Sequence, residues 1–546
     1  MAPWGRRACN APAGAHTPHP SAATVATACG TGDARSTLAA YSEADLIPNI
    51  ATLLWTTAEA APGRPAVIEH PRTIDYASLQ ERAAAIAAAL ADSGIRAYDR
   101  VGIFLDGGPD AVAAFFGVAA AGGIAVVINE SLRPRQVEHI LNGAGASILI
   151  TSTDLLARQP RPLETPSRIL PIRDVPSHAG FAPVPRVGMD PVQIVYTSGS
   201  TGLPRGVTMS HANLHAAAHT VIEYLGLMAT DRIASVLPFS FVYGMSQVLC
   251  AVGSGAALVV ERSPLAAQLV ADLRAREITV LAAVPPLWQQ LLNVAAFRDE
   301  PLPSLRIATN AGGHLPVSVV RALRRAQPQT RLFLMYGLTE VLRSTFLPPE
   351  EVDRRPDSIG RAIPGAEVLV LREDLTPCAV GEVGELVHRG PTVALGYWND
   401  PEATARVFRP HPLRPPGAPD AERVVFSGDL VRRDAEGWLS FVGRRDRMIK
   451  TLGYRVSPDE IATVLYASGE IAECIITTEP DDARGERILA FVVLAGGGSL
   501  ERLRTYGGVE LPRHMQPARY ELRDSLPRLP SGKHDVAALR GAPKPV

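Results

Sequence analysis

Apolar, strand-like runs alternate with helical patterns over two long stretches of this 546-residue chain, and that alternation leaves few folds open. In the first stretch Thr73-Ile74-Asp75-Tyr76 leads into a helical pattern from Leu79 to Leu90, and Val101-Gly102-Ile103-Phe104-Leu105 follows as a strand. The run from Ala111 to Ile128 carries no polar side chain and is long enough to be a membrane-span candidate. Gly122-Gly123 splits it into a helix-like half and the strand-like Ile124-Ala125-Val126-Val127-Ile128, so it reads as a buried helix and then a buried strand. The alternation resumes from Ile194 to about Leu334. Such a pattern predicts an α/β fold on a mainly parallel sheet.

The rest of the chain is organised around those stretches. Residues 1–43 are rich in Ala, Thr, Pro and His without amphipathic period or signal-type apolar core, and read as a disordered extension or a misassigned start. A Pro-rich stretch from Gln159 to Pro185 reads as surface linker. From Ile359 to Val442 shorter strands with Gly and Pro punctuation predict a β-rich, barrel-like subdomain. Charge density then rises in Arg444-Arg445-Asp446-Arg447, a plausible boundary between a large domain (44–443) and a small α+β domain (447–546). A formal net charge of −1 gives no global pull towards nucleic acid or anionic membrane, so anion binding must be local. Five scattered cysteines argue against a disulfide framework or zinc site and suit a reducing cytoplasm.

Local anion binding has a clear candidate. Ile194-Val195-Tyr196-Thr197-Ser198-Gly199-Ser200-Thr201-Gly202-Leu203-Pro204-Arg205-Gly206-Val207 runs from an apolar strand into a loop of glycines and hydroxyls, then a cation. Glycines let the backbone approach an anion, while hydroxyl and N–H groups donate to phosphate oxygens. It is not a Walker loop, because no Gly-Lys-Ser/Thr follows. Gly253-Ser254-Gly255 lacks the third glycine of a dinucleotide fingerprint and reads as a helix-to-strand turn. Lysine usage adds a second signal. Only three of the 54 basic residues are lysines, and two of them, Lys450 and Lys533, sit in glycine-bearing segments. A compact ammonium on a flexible stem is not interchangeable with arginine's planar fork.

The loop resembles the phosphate-binding signature of AMP-forming adenylating enzymes: acyl-CoA synthetases, peptide-synthetase adenylation domains and luciferases. Further motifs recur in order over roughly residues 46–542. Met335-Tyr336-Gly337-Leu338-Thr339-Glu340 is similar to the family's nucleotide segment. The resemblance implies that Tyr336 stacks on adenine, Thr339 contacts the α-phosphate and Glu340 holds Mg²⁺. Asn310-Ala311-Gly312-Gly313 resembles the turn lining the acyl and adenine sites. Ser427-Gly428-Asp429 resembles the segment whose aspartate accepts the ribose hydroxyls. Gly443-Arg444-Arg445-Asp446 is similar to the hinge motif, with Arg444 on ribose or phosphate and Asp446 as pivot of a 444–446 hinge. Lys450-Thr451-Leu452-Gly453-Tyr454-Arg455 resembles the loop that moves inward for thioester formation, Gly453 admitting a pantetheine arm. Lys533 matches the lysine that orients the substrate carboxylate and α-phosphate.

Two departures stand out: Arg205 occupies a usual lysine position, and Phe241 a position where histidine is frequent. The segment Leu237-Pro238-Phe239-Ser240-Phe241-Val242-Tyr243-Gly244 bears on substrate, because amino-acid-activating members place an aspartate there for the α-ammonium. Here stand Ser240 and Phe241, with Met245 and Val248 further on, which favours an aliphatic or aromatic acid without an α-amino group. Val284-Pro285-Pro286-Leu287-Trp288 reads either as apolar pocket wall or as core. The resemblance implies an ATP- and Mg²⁺-dependent ligase acting on a small-molecule carboxylic acid. It would form acyl-AMP with release of pyrophosphate, then a thioester with coenzyme A or a carrier-protein phosphopantetheine. An amino-acid-activating adenylation domain, or a luciferase-like oxidoreductase working through acyl-AMP, is the alternative. The motifs closest in appearance are those of bacterial acyl-CoA or acyl-carrier-protein ligases.

Overall fold

A computed structural model describes residues 49–541, except 177–179, 198–203, 264, 416, 419–421, 446–448, 452–453, 482–484, 514 and 530–533. The expected extension at 1–43 lies outside the described residues.

Two sheets carry the large domain. The smaller has seven strands, in the order Gly396–Tyr397, Arg205–Ser210, Pro191–Thr197, Ile124–Val127, Arg100–Phe104, Ala146–Thr151 and Arg168–Pro171. Its last five run parallel. The larger has fourteen strands among the described residues. Its parallel part includes Ile233's strand, Val280–Ala283, Ile307–Asn310 and Arg331–Tyr336.

Strand periodicity explains the layering. Ile233, Leu258 and Val280 face one side and pack with Val101 and Ile150 of the smaller sheet around Leu79, Phe115, Phe116 and Val248 on intervening helices. Their neighbours Ala234, Val259 and Leu281 face the other side, under Leu273, Trp288 and Leu323. The expected buried helix and strand are Pro109–Ala120 and Ile124–Val127, joined through Gly122 at φ +81°. Among the described residues no helix is long and apolar enough to cross a membrane. Gly253-Ser254-Gly255 is the expected turn, ending the helix Val242–Ser254 with Gly255 at φ +71°.

The helices Tyr76–Asp92 and Pro109–Ala120 cross at Gly117, where a Cβ would lie 2.7 Å from the Ala83 carbonyl oxygen and 2.9 Å from Ile86 Cβ. Neither neighbour is a flexible side-chain tip. Gly117→Val is therefore expected to cost about 3 kcal/mol, read as a lowered midpoint in chemical denaturation.

The Pro-rich stretch is more ordered than a linker. Arg168–Pro171 adds a parallel edge strand beside Ala146–Thr151, a position that tolerates proline. Arg82 then fastens the following turn by donating to the carbonyls of Ile172 (2.6 Å) and Val175 (3.2 Å).

The β-rich part is not a closed barrel but an antiparallel continuation of the larger sheet. It runs from Arg331–Tyr336 through Thr345–Leu347, Ser358–Ala362, Leu439–Arg444, Arg423–Arg433 and Val383–Arg389. Register shifts at Ser358/Gly360, Leu430/Val431 and Glu385/Val387 curl it. The effect is large. Tyr336 and Asp429 stand four strands apart in the sheet order, about 19 Å if it were flat, yet their side chains are hydrogen-bonded.

Leu439–Arg444 is the last strand of this sheet, and Ile449–Thr451 the first of a separate five-stranded one. That small sheet has its own core, including Ile461, Leu465, Ala490, Val492 and Leu503.

Candidate active site

The site grows from the carboxyl ends of parallel strands, where α/β folds leave backbone groups and turns free for ligands. Ile307–Asn310 ends in the turn Ala311-Gly312-Gly313, and Arg331–Tyr336 ends in Gly337-Leu338 before a 3₁₀ turn at Thr339–Val341. Gly312 has φ +81°, and Val284 Cγ1 lies 3.3 Å from where its Cβ would be. Gly337 sits against Leu342 and Arg343, whose backbone atoms would lie 2.9 and 3.1 Å from an added Cβ. That close approach folds the segment after Glu340 back under the site.

Curling of the antiparallel strands brings a charged cluster over Tyr336. Its hydroxyl donates to Asp429 Oδ2, and its ring stacks on His388 at 5.9 Å between centroids. Arg444 Nη1 donates to Asp429 Oδ1 at 2.9 Å, the two residues being direct cross-strand neighbours. Ser427 Oγ accepts from the Asp429 amide (3.0 Å) and donates to the Leu386 carbonyl (2.6 Å), which fixes the bulge bearing the aspartate. Burial and the Asp429 carboxylate together push the Tyr336 phenol well up. The nearby Glu385 joins Arg445 (2.7 Å) and the Gly428 amide (2.9 Å).

Glu340 is anchored through both its side chain and its backbone. Tyr397 donates its hydroxyl to Glu340 Oε1 at 2.6 Å, and the Ala394 amide donates to the Glu340 backbone carbonyl at 2.9 Å. Burial, then the Glu340 charge, raises the Tyr397 phenol, while Arg205 and Arg444 oppose that rise. Both cations therefore act on one locality. Arg205 pairs in register with Thr197 across the hairpin and lies 3.4 Å from the Asp400 carboxylate.

The apolar side comes from the helix Val242–Ser254. Phe241 is its N-cap residue, and Met245 is buried. Tyr243 ties this helix to the sheet by donating to the Thr309 carbonyl at 2.8 Å. Trp288 is fully buried core beneath the sheet, whereas Val284 reaches the Gly312 turn, so the segment of uncertain role divides between the two.

A model of the AMP-binding enzyme family matches residues 54–398, more than half of the chain, and one of the AMP-binding enzyme C-terminal domain matches residues 460–533. This chain belongs to the AMP-binding enzyme family. It is 30% identical over 515 residues to novobiocin biosynthesis protein H of Streptomyces niveus, covering 90% of this chain and 82% of that one. It is 32% identical over 492 residues to a linear gramicidin synthase of Brevibacillus parabrevis. That match covers 88% of this chain but only 9% of the larger protein. Its fold is shared with ATP-bound MatB from Rhodopseudomonas palustris (TM-score 0.81, 23% identity, 90% and 98% of the two chains). The anthranilate CoA ligase AuaEII is similar to the same degree (TM-score 0.80, 23% identity, 91% and 97%).

Of the residues singled out by sequence, the fold gathers Tyr336, Asp429 and Arg444 into one bonded cluster and sets Glu340 and Arg205 beside Tyr397. Thr339 opens the 3₁₀ turn that carries Glu340. Ser198, Gly199, Ser200, Thr201, Gly202, Asp446, Gly453 and Lys533 lie outside the described residues, as does the side chain of Lys450. The backbone of Lys450 pairs with Arg455 in the small sheet.

Tyr397 and His388 escaped the sequence reading, since a lone Tyr after Gly and a His within a strand carry no motif. His388 is wholly buried beside Tyr336, and burial pushes its imidazole down to about 3; His211 is pushed down to about 3 for the same reason. Native rings thus stay neutral where unfolded ones, near 6.5, take up protons. Their contribution is complete above about pH 6.5 and is lost as pH falls towards 3, at about 1.4 kcal/mol per pH unit for each ring. Denaturation midpoints between pH 4 and 7 should fall less steeply in His388→Asn than in the native chain.

Proposed function

We propose that the protein activates a small carboxylic acid without an α-amino group, in two half-reactions with roles for the residues above. A carboxylate oxygen attacks the α-phosphorus of ATP; the new O–P bond forms as the bond to the β-phosphoryl oxygen breaks and pyrophosphate leaves. The sulfur of coenzyme A or of a carrier-protein phosphopantetheine then attacks the acyl carbonyl. AMP leaves with the electron pair of the broken C–O bond, and the thiol proton passes to solvent.

The observation that carries this reading is the cluster of Tyr336, Asp429 and Arg444, with Glu340 alongside, at the carboxyl ends of parallel strands. Tyr336 offers a ring to adenine. Asp429, a carboxylate held by fixed donors, accepts from the ribose hydroxyls, and Arg444 steers ribose or phosphate. Thr197 and the 198–202 loop hold the phosphates with Arg205, while Thr339 reaches the α-phosphate. Lys533 stabilises the charge that builds on the phosphorus. For the second step the small domain turns about Asp446, so that Lys450 and Gly453 come to the site.

Mg²⁺ fits these residues. Glu340 has one oxygen engaged by Tyr397, which leaves the other for a hard cation. Such an ion would be held chiefly by substrate phosphates and water. It would neutralise phosphate charge there. Tyr397→Phe, which releases Glu340 from its fixed position, should raise the Mg²⁺ concentration for half-maximal rate 10- to 100-fold, about the effect of losing a partner that orients a metal ligand.

Ser240, Phe241, Met245, Val284 and Gly312 bring no carboxylate that could pair an α-ammonium. The test is acid-dependent exchange of labelled pyrophosphate into ATP. Exchange with carboxylic acids but not amino acids is the expected result; exchange with amino acids alone would replace this substrate assignment by the amino-acid one.

A further inference from the structure

Lys533 lies outside the described residues, but the chain on either side of it is held at defined points. Arg528 and His534 form an antiparallel bridge, and the Asp535 amide donates to the Pro527 carbonyl at 2.8 Å. The two arms of the segment that carries Lys533 are thus drawn together at its base. One carboxylate holds both arms. Glu473, on the strand Ile471–Asp481, accepts from Arg528 Nη2 through Oε1 at 2.8 Å, and its Oε2 lies 3.1 Å from His534 Nε2. An ionised carboxylate only accepts, so His534 presents Nε2–H to it.

This acid stands where an apolar residue would serve packing as well. Ile475, two residues along the same face of the strand, packs with Leu489 and Phe491, and with Leu526 and Leu539 from either side of the Lys533 segment. The Glu473 side chain is only 20% exposed. Burial raises the pKa of its carboxyl, but the contacts with His534 and Arg528 outweigh burial and hold the group below the usual carboxylate range. Replacing a buried ion pair by apolar side chains is often neutral for stability. What the ion pair adds here is direction. Contacts from Leu526 and Leu539 press the two arms onto the sheet, but apolar contact is non-directional. Two bonds to one carboxylate fix the arms relative to each other and to the strand.

We propose that Glu473 is a positioning residue for adenylation: by tying Arg528 to His534 it sets how Lys533 is presented to the α-phosphorus. This rests on the role given to Lys533 above. A lysine stem is flexible, so its charge is only as well placed as the backbone that carries it. A misplacement of about 1 Å in a group that meets the transition state costs about 100-fold in rate. Attack of the thiol on the acyl carbonyl does not use that charge, so the second half-reaction is indifferent to the clamp.

The test follows both half-reactions of the full chain, using whichever of acetic, hexanoic, palmitic and benzoic acids gives the fastest pyrophosphate exchange, and its acyl-AMP with coenzyme A. Glu473→Ala should lower exchange about 100-fold and change thioester formation by no more than about 2-fold, the spread expected of independent sites. Glu473→Gln keeps the shape and one acceptor oxygen, so it should lose less, and it decides the matter if the alanine variant fails to fold. In the Lys533→Ala background Glu473→Ala should lower exchange no further, because a residue acting only through Lys533 has nothing left to place. Equal loss of both half-reactions, undiminished exchange in the Glu473 variants, or losses that multiply in the double variant overturn the proposal and leave the role of Lys533 standing. Undiminished exchange in Lys533→Ala, or none by the native chain with any of these acids, removes the role of Lys533 and the proposal with it.

Discussion

Lys533→Ala is expected to lower acid-dependent pyrophosphate exchange by about 1,000-fold, the upper range for removing one preorganised donor to transition-state charge, while sparing thioester formation from supplied acyl-AMP. The split follows from charge. The first half-reaction builds negative charge on a phosphorus that already bears oxyanions, and a lysine is the only compact cation with a flexible stem. The second half-reaction discharges an anhydride whose leaving group, AMP, is already a stable anion. The chain has only two other lysines, Lys450 and Lys544, and neither is adjacent to Lys533 in sequence. Equal loss of both half-reactions would contradict the assigned role.

Glu340→Gln is the second large effect. The amide keeps the shape and can still accept from Tyr397, but the charge that would hold Mg²⁺ is gone. Adenylation should fall by about 10²–10³-fold, on the scale of losing a metal's charge stabilisation, with only slight change in the denaturation midpoint. Added Mg²⁺ should recover part of the rate. A native-like Mg²⁺ dependence would remove Glu340 from the metal site and place the ion elsewhere.

Much of this was readable before the structure, and the reason lies in local patterns. Gly122-Gly123 told a helix–strand pair from a membrane span because turn chemistry is local. Family membership was legible because several motifs recur in order along the chain, and a model of that family matches residues 54–398; the loop at 198–203 itself lies outside the described residues. What escaped depends on long-range curvature. Nothing near Tyr336 in sequence says that His388 and Asp429 will lie over it, since that follows from three register shifts in distant strands. The edge strand Arg168–Pro171 was hidden by its prolines.

The central claim is that the substrate carboxylate attacks the α-phosphorus. It is tested most directly with an acid carrying ¹⁸O in its carboxylate, turned over once in the presence of a thiol, with the nucleotide product analysed by mass spectrometry. The account predicts AMP containing one ¹⁸O from the acid, and pyrophosphate containing none. Unlabelled AMP, or label in released phosphate alongside ADP, would contradict it.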